Sequence, residues 1–208
     1  MLLVRRLPML LSRENVLVLG SASPRRTELL TLAGIAHEIV VPSVDESVHP
    51  GETTGAYLLR VVRSKLDAVR AAMPAALGAR AAALLCADTS VIVDDEILGK
   101  PETAAEGRAM LLRLRGRAHE VRTAFAIGDP KGALLYEEVV STKVVFRDLT
   151  SREMDDYVAL GEGNDKAGGY AMQGAAGAFV ARIEGSPTNV IGLPTCEVIV
   201  ALQRLGLR

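Results

Sequence analysis

The chain reads as an α/β protein, and three stretches carry that expectation. Val16-Leu17-Val18-Leu19 is short and apolar with β-branched valines, the pattern of a buried strand. It runs through Gly20-Ser21-Ala22 into a helical segment that opens at Ser23-Pro24-Arg25-Arg26. Residues 54 to about 73 carry Leu58, Leu59, Val62, Leu66 and Val69 at helical spacing. Ala81 to Ala87 is then a fully apolar run, a second buried strand, and it is expected to end at Asp88-Thr89-Ser90.

Taken in order, each element has a local reason. Ser23 suits a helix N-cap, Pro24 the first helical position, and Gly34 the stop. The helix start gathers Ser21, Ser23, Arg25 and Arg26 around free backbone N–H groups and the positive end of the helix dipole. That is a place to hold a phosphate. An ordinary capped helix with two solvated arginines has the same pattern. A second strand is expected at 37–42, then a loop with the adjacent acids Asp45 and Glu46, which alone read as solvated charges. On the wheel of the next helix, Lys65 falls at the edge of the apolar stripe, beside Leu58 and Val69. It either snorkels past the core or reaches into a cleft. Asp88, at the end of an apolar strand, is where α/β sheets place their chemistry, although a turn cap looks alike.

Further along, 91–93 and 96–98 form a small hairpin that delivers Gly99-Lys100-Pro101. Thr103 and Glu106 make a capping box for a helix to Leu114, and Thr150 and Glu153 make another for a helix ending before Gly161. Between them lies a long hairpin, His119–Ile127 and Leu134–Phe146, turning at Asp129-Pro130-Lys131-Gly132. The stretch from Gly161 to Gly174 has too many glycines for a helix or strand. Tyr170 and Met172 are interleaved in it, so it is expected as an ordered loop against a ligand rather than a linker. A strand over 179–183, a turn over 184–189 and a last helix through Leu205 complete the reading.

Composition removes several function classes. The chain has 208 residues, enough for one well-cored domain or one domain with two lobes. We expect an N-terminal extension over 1–13, loosely packed or disordered, and a single domain over 14–208. The net charge is −1, so no global field draws in nucleic acid. Aromatic residues make up 3% with no Trp, which leaves no stacking platform for single strands. Two cysteines, Cys86 and Cys196, suit a reduced cytoplasm, and three scattered histidines argue against a zinc site. No apolar run is long enough for a bilayer. Neither nucleic acid nor membrane is expected as a partner.

The two common nucleotide motifs, G-x-x-x-x-G-K-[ST] and G-x-G-x-x-G between strand and helix, are missing from the sequence. Instead there are separated short sites. Basic groups stand at Arg25, Arg26, Lys65, Lys100 and Lys166, and acids at Asp45, Glu46, Asp88 and Asp165. A triphosphate needs several cations, and a divalent metal needs carboxylate oxygens with room for water. The mixture suits metal-assisted attack on a phosphoanhydride.

Four stretches then carry a resemblance. They are Ser21-Ala22-Ser23-Pro24-Arg25-Arg26; Ala87-Asp88-Thr89 with Gly99-Lys100-Pro101; Asp165-Lys166-Ala167-Gly168-Gly169-Tyr170 with Gln173-Gly174; and Asn189-Val190-Ile191-Gly192-Leu193-Pro194. In this order they resemble the Maf family of nucleoside triphosphate pyrophosphatases, and they span nearly all of the chain after Val16. The resemblance implies a mixed sheet flanked by helices, related to the inosine triphosphate pyrophosphatases, with two lobes around a cleft. It implies a cytoplasmic homodimer that uses a divalent metal, magnesium or manganese.

The family's catalytic acid matches Asp88, and its further cleft charges match Glu46, Lys65 and Lys100. Glu46 and Asp88 are the expected metal ligands. The specificity positions match Arg26, Thr89 and Gln173, a combination that looks like the branch acting on dTTP and UTP. Ser21, Ser23, Arg25, Asp165, Lys166 and Asn189 complete the expected substrate-binding set. One departure stands out: Leu160-Gly161-Glu162-Gly163-Asn164 replaces the family's frequent Ser-Gly-Glu-Trp, so the outer wall of that loop lacks its aromatic. A nucleotide-binding regulator of cell division, without turnover, is the alternative expectation.

Overall fold

The computed structural model describes residues 11–208. The expectation for residues 1–10 of the extension lies outside them. Residues 11–13 are tied down, because Leu11 N–H donates to the Leu207 carbonyl at 2.9 Å and Arg80 donates to the Arg13 carbonyl at 3.0 Å.

Seven strands are found among the described residues: β1 (Val16–Gly20), β2 (His37–Ile39), β3 (Ala81–Val93), β4 (Glu96–Leu98), β5 (Ala118–Gly128), β6 (Leu134–Phe146) and β7 (Val180–Glu184). They form one sheet in the order β2-β1-β3-β5-β6-β7, with β4 paired to β3. The sheet is mixed: β1 runs parallel to β2 and β3, whereas β3–β4 and β6–β7 are antiparallel. The helices are α1 (Pro24–Leu32), α2 (Thr54–Ala72), α3 (Ala75–Gly78), α4 (Ala104–Leu114), α5 (Ser151–Leu160), α6 (Pro187–Ile191) and α7 (Thr195–Arg204). No helix among the described residues is long and apolar enough to cross a membrane.

The chain divides into two compact units. The first comprises the residues up to Asp88 with Ala124–Glu138 and Thr195–Arg208; the second comprises Thr89–Thr123 and Val139–Pro194.

In the first unit, Leu17 and Leu19 of β1, Leu84 and Leu85 of β3, and Leu58 and Leu66 of α2 are fully buried. This explains why the apolar run of β3 has no polar face: it is covered on both sides. Gly20 closes β1 where a Cβ would strike Cys86 Sγ and Val69 Cγ2. The missing side chain lets the strand end close to its neighbours, and it is this end that launches Ser21. Along α2, Val61 lies in the buried stripe and Leu59 is only half-buried, so the stripe is rotated slightly from the expected one.

In the second unit the core is built by Val91, Leu111, Leu114, Phe146, Met154 and Phe179, among others. Thr150 and Glu153 form the full capping box of α5, and Gly161, at φ 72°, ends that helix in the left-handed conformation. The second box is half-realised: Thr103 accepts from Glu106 N–H, but the Glu106 carboxylate takes the N–H of Glu102.

Several boundaries differ from the sequence reading, β2 among them, which ends at Ile39 and not at 42. The strand expected to stop at Asp88 continues to Val93, because Thr89, Val91, Ile92 and Val93 are themselves strand formers and Asp88 finds a charge partner within the fold. Pro187–Ile191, read as turn and tail, is a short helix with Pro in its first turn. Ala175–Phe179 forms a short helical turn, which delays β7 by one residue.

Candidate active site

The charged groups of the first unit meet around Lys65. Its ammonium lies 2.7 Å from an Asp88 oxygen and 2.8 Å from a Glu46 oxygen. Lys65 and Asp88 are 6% and 8% exposed, while the Glu46 carboxylate opens to water, so the pair with Asp88 is buried and the pair with Glu46 lies at its edge. Of the two sequence readings for Lys65, the stem stays in the core and the head does not snorkel to solvent. A buried charge of this kind survives only with close counter-charges, and two carboxylates supply them.

Arg26 completes the group. Its guanidinium donates to Ser21 Oγ at 3.1 Å, and the same oxygen accepts from Ser23 N–H at 3.1 Å. Burial pulls the Arg26 pKa down, with Asp88, Cys86 and Glu46 acting to raise it. Two cations and two carboxylates therefore nearly cancel. Ser23 occupies the N-cap position of α1 but makes no side-chain cap bond; the hydroxyl that organises this turn is that of Ser21. Arg25 is half-buried, and its charge is felt at Arg26.

The acidic loop before α2 is held from the helix. Tyr57 Oη donates to the Glu46 carbonyl at 3.1 Å, and Arg60 donates to the Ser47 carbonyl at 2.7 Å while pairing with Glu52 at 2.7 Å. Burial, with Asp88 and Glu46 adding to it, raises the Tyr57 phenol to about 12. Tyr57 and Arg60 were not anticipated. Their place one to two turns ahead of Lys65 on one helix is the only trace that they leave in the sequence. Cys86 is buried, its thiol pushed up to about 12, and serves packing.

The second unit carries a different kind of site. Thr89 Oγ1 lies 2.9 Å from Thr123 Oγ1 and 3.4 Å from the Gly192 carbonyl. Thr123 Oγ1 donates to the Asn189 carbonyl at 3.1 Å. Asn189, expected to bind substrate, is 0% exposed. Its amide nitrogen donates to the Val121 carbonyl at 2.9 Å and to Thr142 Oγ1 at 3.0 Å. The amide nitrogen fixes α6 against β5 and β6, and the amide oxygen is buried without a hydrogen-bond partner.

Gln173 is exposed on the turn after Tyr170. The Glu162 carboxylate holds that turn by accepting Ala175 N–H at 2.8 Å. At Gly174 a Cβ would run into the same carboxylate. The irregular stretch is thus an ordered loop, as expected, and Glu162 is its anchor. Lys100 is exposed, and Lys166 pairs with its neighbour Asp165. A backbone bond from Gly168 N–H to the Gly99 carbonyl, 3.0 Å, joins the segments that carry the two lysines.

The sequence of residues 16–205 matches the family model described as "Maf-like protein". The chain belongs to the Maf family. Among similar proteins is the dTTP/UTP pyrophosphatase of Anaeromyxobacter sp. (strain Fw109-5), 48% identical over 193 residues, which are 91% of this chain and 89% of that protein. The dTTP/UTP pyrophosphatase of Myxococcus xanthus (strain DK1622) is 45% identical over 194 residues, 93% of this chain and 94% of its own. That of Geotalea uraniireducens (strain Rf4) is 42% identical over 198 residues, 95% and 98%. The match runs through the Maf motifs quoted above and through the Lys65 helix.

Proposed function

We propose that this Maf protein hydrolyses dTTP and UTP to the nucleoside monophosphate and pyrophosphate. The observation that carries the reading is the meeting of Glu46 and Asp88 at one buried ammonium beside a guanidinium. Names shared by full-length relatives supply the nucleobases.

The donor set fits a divalent cation of the magnesium type. Such an ion takes one or two carboxylates together with substrate phosphates and keeps several waters. No group of three or more His, Cys, Asp and Glu that could hold a metal exists among the described residues, so Glu46 and Asp88 would hold it jointly with the polyphosphate. The metal would supply charge neutralisation at the phosphoryl oxygens.

The remaining work falls to the chain. Arg26, Arg25, Lys65, Lys100 and Lys166 bind the triphosphate, each charged hydrogen bond contributing about 1.5–3 kcal/mol. Asp88 takes the proton of the attacking water at its carboxylate, and Lys65 fixes the orientation of that carboxylate. Ser21 holds the Arg26 guanidinium in place. Thr89 and Gln173 read the base. The amide of Gln173 offers a donor and an acceptor together, which matches O4 and N3–H of thymine or uracil. Two finer expectations accompany the family: a homodimer, checked by light scattering on the purified protein, and a cytoplasmic location, checked by fractionation.

The test is a nucleotide panel scored for pyrophosphate, with magnesium and with chelator. Release from dTTP and UTP that chelator abolishes is the expected result. Binding of both nucleotides without release would favour the regulator instead, and release from neither would overturn the reading.

A further inference from the structure

One peptide link in the loop before α2 is held at both of its edges. The carbonyl of Glu46 accepts from Tyr57 Oη at 3.1 Å, and the N–H of Ser47 donates to the Asp45 carboxylate at 2.8 Å. These two groups belong to the same planar unit, with the oxygen and the hydrogen on opposite sides. A plane gripped on both sides resists turning, and it carries one of the bonds to the Glu46 Cα. The direction in which the Glu46 side chain leaves the backbone is set with it. The next link is held as well. Arg60 donates to the Ser47 carbonyl at 2.7 Å, and Glu52 holds Arg60 through both carboxylate oxygens, at 2.7 and 2.8 Å. The Arg60 guanidinium stands 5.6 Å from the centre of the Tyr57 ring. Tyr57 itself is buried and rooted in α2, so the Glu46 carbonyl is tied to a rigid element.

The adjacent acids thus have different tasks. Asp45 turns its carboxylate back onto the chain. Glu46 reaches the Lys65 ammonium at 2.8 Å, from a segment without helix or strand and with a side chain that is 46% exposed. A carboxylate so open to water has little packing to direct it, and its aim depends on the grip beneath it.

We propose that Asp45 and Tyr57 are positioning residues: gripping the 46–47 peptide from opposite sides, they aim the Glu46 carboxylate into the Lys65–Asp88 cluster and so strengthen binding of the metal–triphosphate complex. The inference rests on the proposed reading of Glu46 as a ligand of the divalent ion. With one grip removed, the carboxylate spends part of its time turned to solvent, and the apparent affinity falls by that fraction. Asp45 and Tyr57 act through Glu46 alone.

The experiment measures, by titration calorimetry, the Kd of the manganese complex of α,β-imido-dUTP, whose bridging nitrogen resists pyrophosphate release. Wild type that releases pyrophosphate from neither dTTP nor UTP defeats the proposed function, independently of this loop. With an active wild type, Tyr57→Phe and Asp45→Ala are each expected to raise Kd by about threefold to tenfold, the range of one net hydrogen bond. Asp45→Asn, which keeps an oxygen acceptor without the charge, is expected to bind nearly as the wild type does. A loss in Asp45→Asn equal to that in Asp45→Ala would make the effect one of charge and overturn the grip. Glu46→Gln is expected to weaken binding, with Asp88 and the cations still holding the complex, and Tyr57→Phe added to it should cost nothing further. A merely structural role would lower affinity again in the double variant, and that result overturns the proposal, as does an unchanged Kd in both Tyr57→Phe and Asp45→Ala. A Glu46→Gln that binds as tightly as an active wild type overturns it too, while the pyrophosphatase reading stands. Should Tyr57→Phe not fold, Asp45→Ala, on the exposed loop, takes its place in both comparisons.

Discussion

Asp88 and Thr89 are neighbours in the chain, yet their surroundings differ in kind. Asp88 stands with Lys65, Glu46 and Arg26, a group of opposite charges in which Lys65 and Asp88 are buried and Glu46 stays exposed. Thr89 stands in a run of neutral groups, Thr123 and the carbonyls of Asn189 and Gly192. Charges set close together and partly out of water supply large energies, and they suit a step in which charge develops. Neutral hydroxyls supply small energies, and they suit a choice between similar bases. Rate and choice should therefore separate on mutation.

The sharpest separation is expected from Asp88→Asn. A positioned general base contributes about 10²–10⁴ in rate, so turnover of every nucleotide should fall by that factor. The UTP-to-CTP ratio should stay. The fold should survive, because Lys65 keeps Glu46 as its counter-charge. Steady-state kinetics with a thermal melt checks all three, and wild-type turnover would remove Asp88 from the role of base.

Next in size is Lys65→Ala. Removing one partner of a buried ion pair leaves uncompensated charge and costs about 3–5 kcal/mol. Here two carboxylates would face each other without the ammonium between them. Urea unfolding should show the loss, and Lys65→Met, which keeps most of the stem and drops the charge, should show most of it. A Lys65→Met as stable as the wild type would mean that the ammonium contributes packing and not charge.

The charged half of this comparison is legible from local pattern, whereas in the neutral half Thr89 and Asn189 stand out only through the family motifs and Thr123 not at all. Arg26, Lys65 and Asp88 are marked by local context: a helix start, the edge of an apolar stripe, the close of an apolar run. Even so, β3 was expected to end at Asp88, because a charge after seven apolar residues looks like an exit. The partner that makes the charge tolerable, Lys65, lies 23 residues away. The bond between Thr89 and Thr123 spans 34 residues, and that from Thr123 to Asn189 spans 66. Threonines inside strands are ordinary strand formers, so nothing local distinguishes Thr123 from a packing residue. Asn189 is opaque for the same reason: a motif tells that a residue matters, and its bonds to Val121 and Thr142 show only in the fold.

His119 in the second unit yields a pH effect of middling size. It is 3% exposed, with Nε2 bonded to Tyr170 Oη at 2.8 Å and Nδ1 without a hydrogen-bond partner. Burial, with the Arg117 charge adding to it, lowers its pKa to about 4. The folded value lies below the unfolded one, so between pH 6.5 and about 4 the unfolded chain binds a proton that the folded chain refuses. Stability should fall as pH drops through that window, by about 3 kcal/mol in all at roughly 1.4 kcal/mol per pH unit. Above pH 6.5 the effect vanishes. Denaturant midpoints of wild type and His119→Gln across pH 4–8 check it; parallel curves would assign the acid sensitivity elsewhere. Since neither active group is involved, neither rate nor base choice at neutral pH should follow.

The smallest effect tests whether choice has a second support within its own unit. Glu162 follows the left-handed Gly161 that ends α5, and its carboxylate accepts from Ala175 N–H beside the turn that bears Gln173. Glu162→Ala removes that acceptor, and a lost bond of this kind costs about 1–2 kcal/mol at most on an exposed turn. The turn should loosen without unfolding the core, since Tyr170 remains packed against Phe146 and bonded to His119. KM for dTTP and UTP should rise by roughly fivefold to tenfold with kcat nearly unchanged, while Glu162→Gln, which keeps a carbonyl acceptor, should lie near wild type. A fall in kcat with KM unmoved would tie Glu162 to the charged step instead, and the division between rate and choice would no longer follow the two units.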